Sequence, residues 1–422
     1  MARLSDDCFA HDAGHAAQAQ SLDAALADLL PRLVPVVASE TLPLAACLGR
    51  ALAAPLTAKL DVPPADNSAV DGYALRHADL AADGVTQLMV LGRAAAGRPY
   101  AGPVPRGHAI RIFTGAPIPA GLDSVAMQED CQIEGSQLRL PAGLAMGANR
   151  RLAGEDIPAG KVALPAGRRI GPAELALAAA CGHAALPVCK PLRVALLSTG
   201  DEVNEAGSGL PPGGIYDANR PMLAALLARL GCTVSDLGIQ PDRPDALRDI
   251  LARAAAEHDA VISSGGVSAG EEDHVKAAIA ALGSLHLWRL AIKPGRPVAL
   301  GRIGKAAYFG LPGNPVAAAL TFAFFARPLL AKLAGFVLPP PRGFAAVADF
   351  RFDKKPGRRE WLRASLYPGQ GGDWLVRKYP QDGAAVIGSL TGSDGVLELP
   401  EALTKVAPGD RLLFYPFEML GL

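Results

Sequence analysis

The chain has 422 residues, half of them hydrophobic, with 41 basic and 41 acidic side chains. This length exceeds one ordinary hydrophobic core, so we expect two to four domains. The balanced charge argues against a nucleic-acid-binding surface and provides no polybasic patch for a membrane.

The six cysteines show neither a CxxC pair nor the spacing of zinc ligands, so we expect free thiols in a reducing compartment. The first residues lack the basic and apolar regions of a secretory signal. The most apolar late stretch, 315–326, is interrupted by Arg327-Pro328 and is too short to span a bilayer. We therefore expect a cytoplasmic protein.

The N-terminal part predicts short elements after an unpatterned leader, 1–18. Ser21 is a typical cap for an amphipathic helix that ends at Pro31. A strand is expected over 34–40 and a second helix over 44–52. The polar turn PPADNSAVDGY, at 63–73, has the composition of an ordinary loop.

A small β-rich domain is predicted next, because short alternating runs between 87 and 140 are separated by Gly and Pro. Thr114 follows one of these runs, where its hydroxyl could face a ligand. Asp156 is a loop carboxylate with no partner visible in the sequence. A helix over 172–181 is closed by Gly182.

From residue 192 the pattern changes to alternating strands and helices. Apolar strands are predicted at 192–198, 233–239, 260–262, 287–292, 297–300 and 306–309. Helices are predicted at 219–230, 245–257 and 273–282, and a long apolar helix runs to about 335. This alternation indicates a doubly wound parallel sheet with helices on both faces. Such a sheet binds its ligand at the carboxyl ends of the strands.

The stretch AVISSGGVSAGEEDH, at 260–274, combines a glycine turn with three acidic residues. A glycine turn leaves backbone N–H groups accessible to an anion. The adjacent carboxylates would repel a phosphate alone but would accept one that carries Mg²⁺. The alternative is that these acids cap the following helix.

A proline run at 339–341 is a linker to a final region of short β runs, which predicts a small barrel-like or sandwich domain without a catalytic constellation. The predicted fold is therefore multidomain α/β plus β. Its four domains are an N-terminal connector of 21–62 with 146–185, a β-rich domain of 63–145, a doubly wound domain of 186–338 and a C-terminal β domain of 339–422.

Several residue types suit phosphoryl or nucleotidyl chemistry. Lys293 and Arg296 can neutralise phosphate oxygens, and Glu202, Asp242 and Asp273 can hold Mg²⁺. Lys293 is equally compatible with a solvated loop, and Asp242 with a helix cap. The sequence has no P-loop, no dinucleotide fingerprint and no GxSxG elbow.

Eight segments now stand in one order along the chain: PPADNSAVDGYA (63–74), RIFTGAP (111–117), GEDI (154–157), LLSTGDEV (196–203), PGGIYDANRPML (212–223), SSGGVSAGEEDH (263–274), IKPGRPV (292–298) and GLPGNPVAA (310–318). Together they resemble the MoeA-type molybdopterin molybdenumtransferase family, which includes the gephyrin and plant E domains. The resemblance covers nearly the whole chain from about Ser21.

The resemblance implies an enzyme that inserts molybdate into the dithiolene of adenylylated molybdopterin and releases AMP, assisted by Mg²⁺. It implies a homodimer of four-domain subunits with the site at the subunit boundary. The molybdopterin adenylyltransferase and molybdoenzymes are the candidate protein partners.

The family's functional positions correspond here to six residues: Asp71, Thr114, Asp156, Glu202, Asp242 and Asp273. Residues at Lys293, Arg296, Pro312 and Pro315 border the pterin and molybdate region in the family. The glycine turn adds Ser264, Gly265, Gly266 and Ser268 as predicted binding residues. Arg296 stands where the family often has Lys, and Arg243 stands where a second acid is common.

Two other functions stay open at this point. One is a molybdopterin adenylyltransferase, which is similar in the doubly wound domain alone. The other is a non-catalytic gephyrin-like scaffold. The N-terminal and C-terminal regions argue against the first, and the intact acidic positions argue against the second.

Overall fold

The structure, a computed structural model, describes residues 8–10, 19–241, 243–266 and 274–422. Its central region is built on a six-stranded sheet. In spatial order the strands are Thr233–Gln240, Arg193–Thr199, Ala260–Ser264, Ala306–Leu311, Pro297–Ile303 and Gly283–Arg289. The first four are parallel, as predicted.

The last two strands of this sheet are antiparallel to their neighbours. Pro297–Ile303 returns into Ala306–Leu311 after only two residues. A connection this short joins antiparallel strands only, because a parallel crossover needs a dozen or more residues. The sheet is therefore mixed at one edge, and the predicted strand 287–292 begins earlier, at Gly283.

Helices cover both faces of the sheet, which confirms the doubly wound arrangement. Val194 and Leu196 pack on one face in the core formed with Asn219–Leu230 and Pro315–Thr321. The alternating residues Ala195 and Leu197 pack on the other face with helices Pro244–Glu257 and His274–Leu282. One strand thus supplies two cores through the period-two alternation of its side chains.

The helix after the last parallel strand runs from Pro315 to Leu333. It consists of an α segment Pro315–Thr321, a π turn Phe322–Ala326 and a second α segment Arg327–Leu333. The predicted long helix to about 335 is confirmed. The expectation that Arg327-Pro328 cuts the apolar stretch below membrane-spanning length is wrong, because the helix continues past the proline after the π turn. By length and composition this helix could cross a membrane, but 83% of its apolar window is buried inside the protein, as in a core helix.

The C-terminal region is a closed five-stranded barrel, as predicted for this domain. Its strands are Phe344–Ala348, Arg359–Pro368, Trp374–Lys378, Gly395–Leu399 and Arg411–Pro416. It closes because Arg359–Pro368 pairs with both Trp374–Lys378 and Gly395–Leu399.

The barrel is joined directly to the central region. The short strand Ile292–Lys293 pairs with Arg359–Glu360 at the barrel edge. The Trp361 ring stacks on Phe324 of the long helix with 4.2 Å between the ring centroids. These contacts place the barrel against the carboxyl edge of the central sheet.

The N-terminal part differs from prediction in two elements. The helix Leu22–Arg32 begins as expected, with Ala24 N–H donating to the Ser21 hydroxyl at 3.2 Å. The strand predicted over 34–40 instead occupies Ser39–Pro43, where it pairs with Ala185–Cys189. The helix predicted over 44–52 is wrong: a single 3-10 turn, Leu44–Ala46, forms before Gly49 takes a left-handed conformation at φ 78°.

The β-rich region forms a second six-stranded sheet, as predicted. Its strands, in spatial order, are Ser124–Met127, Gly72–Leu75, His108–Ile112, Val85–Ala94, Gln137–Pro141 and Gln132–Glu134. The helix Pro172–Ala180 and short strand pairs connect it to the rest. These pairs are Leu56–Thr57 with Val162–Leu164 and Asn67–Ser68 with Arg150–Arg151. None of the six cysteines, all of which are among the described residues, forms a disulfide.

Candidate active site

A cavity of about 790 Å³ lies where the central sheet meets the barrel. From the central region it is lined by Thr199, Gly200, Glu202, Gly265, Gly266, Arg289, Lys293, Pro294, Gly295, Arg296, Pro297, Pro312, Gly313, Asn314 and Ala317. From the barrel region it is lined by Glu360, Trp361, Leu362, Arg363, Asp382, Gly383 and Ala384. The site is therefore built by two regions of one chain.

Three neighbouring parallel strands end at this cavity. Glu202 follows Arg193–Thr199, Gly265 follows Ala260–Ser264, and Pro312 follows Ala306–Leu311. Carboxyl ends of parallel strands share one edge of a sheet, so residues far apart in sequence converge there. The structure thus brings together six of the predicted residues: Glu202, Gly265, Gly266, Lys293, Arg296 and Pro312.

The glycine turn is shaped by close backbone contact. Gly265 has φ 93°, and a Cβ at this position would lie 2.7 Å from the Thr199 carbonyl oxygen. The Gly265 N–H donates to the Leu311 carbonyl at 3.1 Å, so this amide is already bonded within the sheet. Gly265 therefore serves the close approach of neighbouring strands and does not offer a free donor.

Ser264 is buried below the cavity and is not part of its lining. Asn219 Nδ2 donates to Ser264 Oγ at 2.7 Å and to the Gly313 carbonyl at 2.6 Å. This pair of bonds joins the start of helix Asn219–Leu230 to two of the loops that line the cavity. Pro315 also lies outside the lining, at the first turn of its helix.

The loop 293–296 and the end of strand Gly283–Arg289 supply cations to the cavity. Lys293 Nζ lies 2.6 Å from Glu360 Oε1, and Glu360 is buried whereas Lys293 is half-exposed. The exposed side chains of Arg289 and Arg296 form no ion pair within the described ranges. Gly295 packs against the helix Pro315–Thr321, since a Cβ there would lie 2.1 Å from Thr321 Oγ1. From the central region the cavity thus presents two guanidinium groups and one ammonium, and only the ammonium is paired within the described residues.

The buried Arg220 holds in place the loop that follows Glu202, one of the carboxylates lining the cavity. Arg220 Nη1 lies 2.7 Å from Asp236, its Nε lies 3.0 Å from Asp217, and its Nη2 lies 2.6 Å from Glu205. Burial opposes the charge of Arg220, but the bonds from Asp236, Asp217 and Glu205 outweigh it and raise the pKa of the guanidinium. Arg220 therefore ties the loop after Glu202 to the strand Thr233–Gln240, which leads toward residue 242.

The predicted metal ligands are described only in part. Asp242 and Asp273, and with them the predicted binding residue Ser268, lie outside the described residues. Glu202 is described, is exposed and lines the cavity. Among the described residues no group of three His, Cys, Asp or Glu side chains is placed to hold a metal ion.

Asp71, Thr114 and Asp156 lie in the N-terminal half and do not line this cavity. Thr114 donates to Asp71 Oδ1 through its N–H at 2.8 Å and its hydroxyl at 2.7 Å. These two bonds lower the pKa of Asp71. Asp156 is exposed in a turn, and its N–H donates to the Val62 carbonyl.

The barrel contribution was missed in the sequence. Arg363 is buried at the cavity wall, where it donates to Ser389 Oγ at 3.0 Å and to the Gly383 carbonyl at 3.1 Å. Burial lowers the pKa of Arg363. The available signal was the run REWLR at 359–363, in which three charged residues flank an apolar pair inside a strand.

Comparison with known proteins covers the chain almost from end to end. Residues 20–182 match the family model for the MoeA N-terminal region, domains I and II. Residues 195–332 match the family model for a probable molybdopterin binding domain. Residues 345–417 match the family model for the MoeA C-terminal region, domain IV.

Named relatives agree along the same length. The chain is 37% identical to the molybdopterin molybdenumtransferase of Haemophilus influenzae over 95% of this chain and 99% of that protein. It is 38% identical to that of Nostoc sp. over 92% of this chain and 90% of the relative. The solved structure of a molybdopterin biosynthesis moeA protein from Pyrococcus horikoshii superposes with a TM-score of 0.80 at 28% identity, covering 94% of this chain and all of that one.

The fold and cavity define a multidomain protein with a doubly wound domain of the molybdopterin-binding type. The regions on either side of this domain match the MoeA N-terminal and C-terminal regions, which distinguishes one family within this class. The chain belongs to the MoeA family of molybdopterin molybdenumtransferases.

Proposed function

We propose that this protein inserts molybdate into adenylylated molybdopterin and releases AMP, the last step of molybdenum cofactor biosynthesis. The observation that carries the proposal is the two-region cavity, which is lined by the guanidinium groups of Arg289 and Arg296 and by the exposed carboxylate of Glu202 at the carboxyl edge of the sheet. Its relatives over nearly the whole chain are named for molybdenum transfer to molybdopterin.

The residues of the cavity act mainly by electrostatic positioning. Both substrates are anions: one carries a pyrophosphate, and the other is a tetrahedral oxyanion. Arg289 and Arg296 offer planar forks that suit phosphate-type oxygens, and Lys293 offers a point charge. Held in one cavity, these cations bring the two anions together and stabilise charge on the departing phosphate of AMP.

The carboxylate of Glu202 is a suitable ligand for Mg²⁺. Glu202 lines the cavity with an exposed carboxylate that forms no ion pair within the described part of the chain. Mg²⁺ prefers such oxygen ligands and commonly binds one or two carboxylates together with substrate phosphates. Glu202, with Asp242 and Asp273, would hold the ion. When bound, it supplies positive charge to the pyrophosphate.

We propose that the complete site lies at the boundary of a homodimer. Asp71, Thr114 and Asp156 do not line the cavity of their own chain. A closed two-fold dimer can bring the β-rich region of one subunit to the crevice of the other. Asp71 of the partner subunit would then face the substrates held by Glu202 and Lys293.

Subunit mixing tests this shared site. Asp71→Ala and Glu202→Ala chains, each inactive alone, are denatured together and refolded at equal concentration. If the site is shared between subunits, about half the dimers are mixed and each has one intact site, so about a quarter of the wild-type activity returns. If each chain carried a whole site, mixing would restore nothing.

The function itself is tested by AMP release from adenylylated molybdopterin, measured with and without molybdate and Mg²⁺. Release that requires both agrees with the proposal. Tight binding of the adenylylated pterin without release would favour the scaffold function, and no binding would exclude both.

The adenylyltransferase alternative is disfavoured because matches to MoeA-type regions extend over 20–182 and 345–417, outside the central domain. Six free cysteines support a cytoplasmic location, where thiols stay reduced. The adenylyltransferase that makes the substrate and the molybdoenzymes that receive the product remain the proposed protein partners.

A further inference from the structure

A second cavity, of about 290 Å³, shares no lining residue with the candidate active site. It lies between the end of helix Asn219–Leu230, the long helix Pro315–Leu333 and the C-terminal turn. Its polar wall is formed by three arginines from distant parts of the sequence, Arg169, Arg229 and Arg327.

Each arginine is anchored through a main-chain oxygen. Arg169 Nη2 donates to the Arg229 carbonyl at 2.9 Å, Arg229 Nη1 to the Leu422 oxygen at 3.4 Å, and Arg327 Nη1 to the Met419 carbonyl at 3.1 Å. A guanidinium has five N–H donors, so one such bond leaves others available. The Arg169 guanidinium is also held over the Phe336 ring, 5.5 Å from its centroid.

Acidic side chains of the described residues do not pair with the three charges. In the part of the chain that the structure describes, none of them forms an ion pair with Asp or Glu. Glu418 lines the same cavity, but it is exposed and pairs with none of the three. Burial lowers the pKa of Arg327, and the charges of Arg169 and Arg229 lower it further. Like charges gathered in this way are unfavourable unless an anion joins them.

We infer that this cavity binds a phosphate-type oxyanion, either inorganic phosphate or the phosphate of a monoester. A tetrahedral oxyanion accepts hydrogen bonds on several sides at once, which suits a cavity lined by arginines from three parts of the chain. A planar carboxylate, in contrast, needs only the two parallel N–H donors of one guanidinium. Arg327 is ten residues after Ala317 of the first cavity, about 15 Å along the same helix, so the two sites are separate.

The test is isothermal titration of the full-length protein with inorganic phosphate and with AMP. The active-site cations also attract phosphate, so the titrations use a chain that carries Arg289→Met, Lys293→Met and Arg296→Met. Arg229→Met is then added. The matched control is Arg106→Met, an exposed arginine of the β-rich region without an ion pair among the described residues.

We expect one phosphate site in the background chain and an affinity loss of at least about tenfold with Arg229→Met. Arg106→Met leaves the affinity unchanged. Arg327 is partly buried and its variant is open to folding defects, whereas the exposed Arg229 keeps the test independent of stability. Equal affinities for phosphate and AMP identify inorganic phosphate as the ligand class, and tighter AMP binding identifies a monoester.

Two results would overturn the inference: no binding of either anion at millimolar concentrations, or the same isotherm with and without Arg229→Met. Neither result bears on molybdate-dependent AMP release, which is measured at the other cavity.

Discussion

The carboxylates of Glu202 and Asp71 have opposite surroundings. Glu202 lines a cavity enclosed by two regions and is left without an ion pair among the described residues. Asp71 lies outside that cavity and accepts two hydrogen bonds from Thr114, which follows a neighbouring strand of the same region. The first arrangement is poised for a ligand, and the second holds a side chain in a fixed direction. This difference agrees with the proposed site shared between two subunits.

Removing the Glu202 charge gives the largest expected effect. Glu202→Gln keeps the side-chain shape but loses the anionic ligand, so molybdate-dependent AMP release should fall by about 10²–10³-fold. Asp201→Asn, at the adjacent exposed carboxylate outside the cavity lining, is the control and should change the rate less than about threefold. Similar losses in both variants would show that Glu202 has no special part.

Arg220→Lys tests whether the bonds from Arg220 to three carboxylates stabilise the loop after Glu202. A lysine keeps the charge but lacks the planar fork whose Nε, Nη1 and Nη2 each reach a different carboxylate, so the free energy of unfolding should fall by about 2 kcal/mol. Arg193→Lys, which alters the exposed pair with Asp259, should cost less than about 0.5 kcal/mol. Chemical denaturation followed by circular dichroism measures both, and equal losses would refute the supporting role of Arg220.

Glu360→Gln tests whether the barrel positions Lys293. The variant weakens the 2.6 Å contact between Lys293 Nζ and Glu360 and so frees the ammonium. We expect KM for the adenylylated pterin to rise about three- to tenfold with kcat little changed. Asp382→Asn is the control, because Asp382 lines the same cavity but pairs with Lys378. A KM unchanged in Glu360→Gln would mean that the barrel only covers the site.

Thr114→Val gives the smallest effect and concerns the carboxylate of Asp71. The Thr114 N–H and hydroxyl lower the pKa of Asp71, so their contribution to stability is present above the ordinary Asp pKa and is lost as pH falls through the lowered value. The variant removes the hydroxyl bond and keeps the N–H bond, so the Asp71 pKa should rise part of the way to its ordinary value. Carboxyl-carbon NMR titration measures it, and an unshifted pKa would mean that the hydroxyl bond does not form in solution.

The sequence predicts the central region well because its signals are local. The helix Asn219–Leu230 ends at a glycine with φ 96°, and each strand before a crevice loop is a continuous apolar run. The crevice residues follow from the rule that parallel strands share one edge. The wrong elements lie at 34–52, where strand pairing with Ala185–Cys189 outweighs the local apolar pattern.

The barrel half of the cavity could not be predicted in this way. Lys293 and Glu360 are 67 positions apart, and their contact depends on how the barrel docks. A charged residue in a strand, such as Arg363, reads as solvent-facing unless another region covers it. The pairing of Thr114 with Asp71 was likewise hidden, since it joins two loops brought together by strands Gly72–Leu75 and His108–Ile112.

The stacking of Trp361 on Phe324 gives the protein an optical reporter. Trp361 is buried at the cavity wall, Trp288 is buried in the central core, and Trp374 is half-exposed on the barrel. Indole emission depends on its immediate surroundings, so a ligand that enters the cavity perturbs one fluorophore of the three. Occupancy of the crevice can thus be followed in the unlabelled protein, on the timescale of mixing, before any bond is made or broken.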